Sequence, residues 1–231
     1  MKKILIFQWF DCQDGIRRQE LTDCINHNLA IGFDEVIIFN DSVEPAFFGQ
    51  NVQNILSNSR ITYRDYINIL NDENNYGSFV VLTNTDIKLD RNILTLKEVA
   101  KEKILLAMSR YESNEKLTEF PWSSQDVWAA RSQPIHKGVL HQCNIPLGVP
   151  GCELRFSEML FNTGFMVFNP CLDIKNVHVH SNQNSHKDEN RIYGAYLFTP
   201  ACTLSDIKSG NSAIMPTPYY LTIINKLFTI Q

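Results

Sequence analysis

The chain has 231 residues, of which 44% are hydrophobic and 20% are charged, and its net charge at pH 7 is −4. A chain of this length buries roughly three quarters of its unfolded surface, so it needs no disulfide or metal to hold a core. The balanced charge excludes a disordered tail and the basic stripe of a nucleic-acid-binding protein. We therefore expect one domain over residues 1–231 and no nucleic-acid partner.

The hydrophobic segments and the cysteines indicate a reduced, intracellular protein. The first apolar run, Ile4–Phe7, ends at Gln8, whereas a signal peptide needs about 7–15 apolar residues and a membrane span about 20. The six cysteines form no C-x-x-C pair, which favours buried thiols over a zinc site or a disulfide framework. We expect a cytoplasmic protein with no transmembrane segment, and peripheral attachment at a membrane stays open.

Short apolar runs alternate with turn residues in the first half of the chain. They predict strands at 4–10, 35–39 and 78–82, a helix over 17–31, and a short strand that becomes a helix over 60–70. Repeated β-α-β units of this kind predict an α/β fold with a mainly parallel central sheet flanked by helices.

The second half is more mixed. Strands are predicted at 104–109, 127–131, 165–168 and 176–180, with a helix over 153–162. The segments 192–198 and 219–228 are apolar enough to pack against the rest. No internal repeat or linker divides the chain.

Polar side chains follow each of the first three predicted strands. They are Gln8 and Asp11, then Asn40 and Asp41, then Asn84 and Asp86. Ligands of parallel α/β sheets bind at the carboxyl ends of the strands. The alternative is that these residues are there only to form turns.

The third strand end is a candidate metal site. Asn84 and Asp86 are two residues apart, so on an extended chain they point to the same side. A carboxylate with an amide oxygen suits Mg²⁺ or Mn²⁺, which would keep positions open for substrate phosphates. A turn-capping role for Asp86 is the alternative.

Two histidines alternate with valines in the last predicted strand. His178 and His180 therefore share one face and could both ligate a metal, although such a pair usually needs a third donor. Together with Asp86, one of them would complete an oxygen and nitrogen site suited to Mn²⁺. A pair of hydrogen-bonded histidines on a polar face is the alternative.

Two further carboxylates are candidates for acid–base chemistry. Glu153 begins a predicted helix after a Gly/Pro loop, where the helix dipole would hold it ionised, as a general base requires. Asp126 lies at the start of a predicted strand. The basic groups that could neutralise a leaving diphosphate are Arg17, Arg18, Arg60, Arg110, Arg155 and Arg191.

Taken in order, five segments resemble a family of nucleotide-sugar glycosyltransferases with the GT-A fold. They are T-N-T-D-I-K-L-D (83–90), M-S-R-Y-E (108–112), S-S-Q-D-V-W (123–128), P-L-G-V-P-G-C-E-L-R (146–155) and N-P-C-L-D-I-K-N-V-H-V-H-S (169–181). The resemblance runs from about residue 4 to about residue 200. It implies a single GT-A-like, Rossmann-like domain and a role such as polysaccharide biosynthesis.

The resemblance also implies roles for individual residues. Residues 1–90 would bind a nucleoside-diphosphate sugar, and residues 91–231 would bind a glycan or lipid-linked acceptor. Asp86 would bind a divalent cation, Mn²⁺ or Mg²⁺, with His180 or else His178, and Glu153 would be the base of an inverting reaction, with Asp126 the second choice. The implied donor-binding residues are Gln8, Asp11, Asn40, Asp41, Arg60, Asn84, Arg110 and Arg191.

Two departures from the family pattern leave other functions open. Asn84 replaces the first acid of the D-x-D signature, and Glu153-Leu154 replaces the more usual Asp-Asn. A non-catalytic relative that binds a sugar nucleotide or glycan is one alternative. A metal-dependent phosphoester hydrolase is the other, because Asp and His ligands serve that chemistry equally well.

Overall fold

The computed structural model describes residues 1–41, 47–180 and 191–209. Within these ranges the strands are β1 (Lys3–Trp9), β2 (Glu35–Asn40), β3 (Val52–Leu56), β4 (Phe79–Thr83), β5 (Ile87–Lys88), β6 (Ile104–Tyr111), β7 (Gln125–Arg131), β8 (Met166–Phe168) and β9 (Asn176–His178). The α-helices are α1 (Gly15–Leu29), α2 (Tyr63–Asn71), α3 (Lys137–Gln142), α4 (Cys152–Phe161) and α5 (Leu204–Ser209). Short 3₁₀ helices cover Glu73–Asn75, Arg91–Glu98 and Pro121–Ser123.

The described strands form one mixed sheet in the order β3-β2-β1-β4-β7-β6-β9-β5, with β8 beside β6. The half from β3 to β4 is parallel. β7 is antiparallel to both of its neighbours, β4 and β6. The predicted α/β domain with a sheet flanked by helices is confirmed, and the reversal at β7 makes the sheet mixed.

Helices cover both faces of the sheet, because successive apolar residues of a strand point to opposite faces and both must be buried. On β1, Ile4 and Ile6 face the core that contains α2, α3 and α4. Leu5 and Phe7 face the opposite core, which contains α1, α5 and the 3₁₀ helix at Arg91–Glu98. A strand buried on both sides is a continuous apolar run, which is why these strands could be predicted.

Several elements differ from the sequence prediction. The short strand predicted at the start of 60–70 is wrong, because Thr62 forms only an isolated bridge with Pro146. β3 lies earlier and was not predicted, since its residues at the sheet edge are only partly buried. Residue Thr62 instead caps α2 through the carboxylate of Asp65. β9 ends at His178, two residues before the predicted end. The predicted packing of 219–228 concerns residues outside the described ranges.

The described residues include every cysteine and all of the α-helices given above. All six cysteines are described and free, and all but Cys12 are buried. Among the described residues, no helix combines the length and the apolar character needed to cross a membrane.

The reversal at β7 brings two polar segments together at one edge of the sheet. The last residues of β4 pair with the first residues of β7, with Thr83 opposite Val127. Asn84, the first residue after β4, continues this contact, since its backbone N–H donates to the backbone carbonyl of Asp126 at 3.1 Å. The carboxyl edge of the parallel half and the amino end of β7 therefore form one polar region.

A buried asparagine of α1 holds the segment that follows Asp86. The side chain of Asn28 donates to the Ile87 carbonyl at 2.8 Å and accepts from the Leu89 amide at 2.9 Å. Both bonds are buried, and Asn28 is only 1% exposed. Asn28 therefore helps to hold β5 beside α1, together with His27, whose Nε2 lies 2.9 Å from the Leu89 carbonyl.

Replacing Asn28 with Ala is expected to lower the free energy of unfolding by about 2–4 kcal/mol, because it leaves a buried N–H and a buried carbonyl without partners. Urea unfolding monitored by circular dichroism measures the change. Asn26→Ala, on an exposed position of the same helix, is the matched control and should change stability by less than about 0.5 kcal/mol. Equal stability of the two variants would contradict the role given to Asn28.

Candidate active site

A cavity of about 500 Å³ opens beside the first residues of β7. Its walls come from the residues that follow β4, the start of β7, the Gly/Pro loop before α4, and the segment after residue 190. Four charged residues line it among the described residues: Arg110, Asp126, Glu153 and Arg191. The cavity therefore brings together candidate residues that are far apart in the sequence, namely Asn84, Arg110, Asp126, Glu153 and Arg191.

The loop before α4 fixes the position of Glu153. Gly151 precedes the helix with φ of 82°, a left-handed conformation that favours glycine. A Cβ at this position would lie 2.8 Å from both the Ile192 carbonyl and the Tyr196 hydroxyl. The close fit of Gly151 sets the start of α4, and with it the first turn that carries Glu153.

Aromatic packing anchors the same helix from below. Tyr63 stacks on Phe156 with ring centroids 4.1 Å apart and meets Trp128 edge to face at 5.1 Å. The Tyr63 hydroxyl lies 3.5 Å from the sulfur of Cys152. The Tyr63 side chain, at the start of α2, thus connects Trp128 in the cavity wall with the amino end of α4.

Glu153 has the properties of a base that works near neutral pH. Burial is the main cause that raises the pKa of its carboxyl to about 7, and the negative charge of Asp126 acts in the same direction. The charge of Arg191 opposes these effects only in part. A carboxyl group with this pKa can accept and release a proton under physiological conditions.

Asp126 differs from Glu153 because both of its oxygens have fixed donors. The Asn84 side chain donates to Oδ1 at 2.7 Å, and Arg110 donates to Oδ2 at 3.0 Å. Asp126 is 8% exposed. Asp126 therefore carries a paired negative charge beside a carboxyl group that can exchange its proton.

A second group of charged side chains lies next to the cavity; it consists of Arg17, Asp86, Glu112 and His178 and is called the Asp86 cluster. Asp86 Oδ2 accepts from Arg17 Nη2 at 2.5 Å and lies 3.2 Å from His178 Nε2. Glu112 Oε2 lies 3.6 Å from His178 Nδ1.

The charges of the Asp86 cluster stabilise one another. Burial opposes ionisation of Asp86, but His178 and Arg17 outweigh it and lower the pKa of its carboxyl to about 2. Burial also opposes protonation of His178, yet Asp86 raises its pKa above the usual value. Arg110 links the cluster to the cavity, because it pairs with Glu112 at 3.2 Å as well as with Asp126.

The remaining predicted residues have other positions. His180 is outside β9, with its ring centroid 5.6 Å from that of His178. Gln8 uses its amide to accept from the Ile61 backbone at 2.9 Å and to donate to Ser59 at 3.1 Å. Arg60 donates to the Leu147 carbonyl at 3.2 Å, in the loop that borders the cavity.

Three predicted residues form a separate group at the ends of β1 and β2. The Asp11 backbone donates to the Asp41 carboxylate at 3.3 Å, and the Asp11 carboxylate pairs with Arg18 at 3.2 Å. Asn40, the last residue of β2, is buried. None of these three is among the described residues that line the cavity.

The structure adds residues that were not assigned a role from the sequence. Glu112 belongs to the M-S-R-Y-E segment, and Tyr196 and Phe198 line the cavity. Gln125 Oε1 and Trp128 Nε1, also in the cavity wall, are buried and have no hydrogen-bond partner among the described residues. Buried polar atoms without partners are uncommon. In the sequence, the only signal for Gln125 and Trp128 was their place in the S-S-Q-D-V-W segment.

Whether the Asp86 cluster fits a divalent cation can be judged from its donors. The oxygen that would ligate the cation, Asp86 Oδ2, already accepts from a guanidinium and contacts an imidazole nitrogen. Within the described ranges, no group of three His, Cys, Asp or Glu side chains could hold a metal ion. As arranged, these residues do not fit Mn²⁺ or Mg²⁺, and the metal stays a sequence-based prediction.

Comparisons with known proteins add little to this geometry. No family model matches the sequence, and no curated protein matches it. The solved structures that match include a glycosyltransferase involved in the glycosylation of the major capsid of PBCV-1, with 13% sequence identity and a TM-score of 0.40. The match covers 82% of this chain and 98% of that one.

The pKa of Glu153 predicts how stability varies with pH. A carboxyl that binds its proton more tightly when folded destabilises the fold as the pH rises from about 4.5 to about 7. Glu153→Gln removes this ionisation. The free energy of unfolding of the variant, minus that of the wild type, should therefore be about 1–2 kcal/mol larger at pH 8 than at pH 4. This range allows for solvent in the cavity, which weakens the effect of burial.

Thermal and urea unfolding at pH 4, 6 and 8 measure this change. Glu98→Gln, at an exposed position, is the control and should show no pH-dependent difference from the wild type. If the Glu153→Gln curve parallels the wild-type curve at all pH values, the carboxyl of Glu153 has an ordinary pKa.

Proposed function

We propose that this chain is a glycosyltransferase that moves a sugar from a nucleoside-diphosphate sugar to a hydroxyl group of a glycan or lipid-linked acceptor. The main support is the pairing of Glu153, whose pKa is about 7, with the charge-paired Asp126 in one cavity. Two neighbouring carboxyl groups with different environments are the arrangement expected where one must exchange a proton and the other must stay charged.

In the proposed reaction Glu153 is the general base. The acceptor oxygen forms a bond to the anomeric carbon of the sugar while the bond from that carbon to the diphosphate oxygen breaks. The electron pair of the broken bond leaves with the nucleoside diphosphate, and the acceptor proton goes to Glu153. Attack opposite the leaving group would invert the configuration at the anomeric carbon.

Asp126 and its neighbours would bind and orient the sugar. The positive charge that develops on the sugar ring in the transition state is favoured by a nearby carboxylate. Gln125 and Trp128, on either side of Asp126 in the sequence, also contribute to the wall of the cavity.

Two arginines would stabilise the negative charge of the leaving group. Arg110 and Arg191 both line the cavity. Asp126 and Glu112 raise the pKa of Arg110, so its positive charge is permanent. Preorganised donors aimed at developing charge usually contribute about 3–4 kcal/mol each to lowering a barrier.

The donor's nucleoside is assigned to the ends of β1 and β2. Gln8, Asp11, Asn40 and Asp41 gather at this edge of the sheet, where ligands of α/β proteins bind. The Thr85 hydroxyl donates to the Gln8 carbonyl, which connects this edge to the residues preceding Asp86. A thermal-shift screen of nucleoside diphosphates and their sugars identifies the base, since a ligand that binds only the folded state stabilises it.

Glu153→Gln is expected to lower kcat at least about 100-fold, because the positioned base is lost, while donor affinity changes little. Release of nucleoside diphosphate in the presence of acceptor sugars measures turnover, and calorimetry measures donor binding. The exposed control Glu98→Gln should keep wild-type turnover. Undiminished turnover in Glu153→Gln would transfer the base role to another residue.

The Asp126→Asn variant tests whether Glu153 is the group that titrates. The wild-type kcat/KM should rise with pH and level off above about 7, because the base acts in its ionised form. Removing the negative charge of Asp126 should move this inflection to lower pH, even where turnover is reduced. An inflection at the same pH in both enzymes would mean that a different group titrates.

The same assays separate the proposal from its alternatives. Release of nucleotide or phosphate that is independent of any acceptor would indicate a hydrolase. Stabilisation by a sugar nucleotide with no turnover for any acceptor would indicate a binding protein.

A further inference from the structure

Arg17 is a cation that the fold holds in one position. Its guanidinium donates to Asp86 at 2.5 Å, to the Val179 carbonyl at 2.7 Å and to Glu20 at 3.0 Å. These partners belong to three separate parts of the chain: the residues after β4, the residues after β9, and α1 itself. The side chain is 19% exposed, so it is partly accessible from solvent.

The guanidinium keeps donors for a ligand. A guanidinium has five N–H groups, and three of them are used in these bonds among the described residues. An arginine fork matches two phosphate oxygens at once and cannot lose its charge at physiological pH.

Arg17 occupies the place that the sequence assigns to a metal. Asp86 and His178 are the side chains expected to ligate the divalent cation, and Arg17 Nη2 hydrogen-bonds the same Asp86 oxygen that contacts His178 Nε2. A second cation on that oxygen would lie against the guanidinium and be repelled by it. The negative charge of Asp86 is therefore already balanced by the Arg17 guanidinium.

The charges on this edge continue from Arg17 into the cavity. Arg17 pairs with Asp86, His178 lies between Asp86 and Glu112, and Arg110 joins Glu112 to Asp126. Along this edge Arg17 and Arg110 alternate with the carboxylates of Asp86, Glu112 and Asp126. A diphosphate leaving a sugar beside Asp126 would meet Arg110, which lines the cavity, before it reached Arg17. Chelation by a metal is not needed to supply positive charge there.

We propose that Arg17, held by Asp86 and the Val179 carbonyl, replaces the divalent cation and neutralises the departing diphosphate, so that transfer is metal-independent. The inference rests on the proposed glycosyltransferase function. The bonds that form and break are those given above; Arg17 donates hydrogen bonds to the diphosphate oxygens as they gain charge and transfers no proton. Asp86 and His178 are positioning residues for the guanidinium in this scheme.

The first test needs no substitution. Wild-type turnover should change less than about threefold between buffer with excess EDTA and buffer with Mn²⁺, whereas loss of one well-placed donor changes kcat about 100- to 1,000-fold. Turnover that EDTA abolishes and Mn²⁺ restores would overturn the inference while leaving the transferase function intact. Absence of turnover under both conditions, with every donor, would overturn the transferase function.

The second test does not depend on turnover. Electron paramagnetic resonance of Mn²⁺ should detect no stoichiometric binding to the wild type, because the Asp86 oxygen is engaged by Arg17. Arg17→Gln frees this oxygen and should gain Mn²⁺ affinity by at least about tenfold through reduced charge repulsion. Stoichiometric Mn²⁺ binding by the wild type that Asp86→Asn abolishes would overturn the inference, whatever the enzyme assays give.

Variants of Arg17 complete the experiment. Arg17→Gln should lower kcat about 100-fold or more, and Mn²⁺ should restore part of this loss. Arg17→Lys keeps the positive charge but loses the two-pronged guanidinium, so its kcat should lie between those of the wild type and Arg17→Gln. Arg91→Gln, at an exposed position, is the control and should retain wild-type turnover. Wild-type kcat in a folded Arg17→Gln protein, judged by circular dichroism, would also overturn the inference.

Discussion

The antiparallel pairing of β7 with β4 is the constraint on which the candidate site depends. It places the first residues of β7 beside the last residues of β4, so that Asn84 and Asp126 bond to each other by both backbone and side chain. If β7 ran parallel to β4, Asp126 would lie at the opposite edge of the sheet. Arg110 would then lose the carboxylate that positions it, and Glu153 would lose its charged neighbour.

Packing on one side of the sheet turns this backbone arrangement into a cavity of fixed shape. Tyr63 packs against both Phe156 and Trp128, while Gly151 lets the loop before α4 approach Tyr196 closely. Burial of Glu153 follows from these contacts, and burial is what shifts its pKa. The chemistry proposed for this carboxyl is therefore a result of core packing several residues away.

The strands and the main helices could be predicted because their signal is local. A strand buried on both faces, such as β1 or β4, is a short apolar run between turn residues. β3 and β5 could not be predicted, since β3 is partly exposed at the sheet edge and β5 has only two residues. The reversal of β7 is also invisible in the sequence, because an apolar strand carries no information about its direction.

The candidate site could be predicted only in part, for a related reason. The sequence motifs single out Asp86, His178, Asp126 and Glu153, and the structure brings the first two within 3.2 Å of each other. Arg17, in contrast, is one of several arginines with no distinguishing neighbours in the sequence. Its role emerges only from the folded chain, because its partners Asp86 and Val179 are distant in sequence.

These long separations have a consequence for how the protein acquires its site during synthesis. Arg17 lies 162 residues before the carbonyl it contacts at Val179, and 69 residues before Asp86. Contacts between such distant residues form late, because the entropy of closing long loops must be overcome first. On the ribosome, the amino-terminal β-α-β units can therefore fold while this arginine still lacks its last acceptor, and the charged edge becomes complete only after most of the chain has emerged.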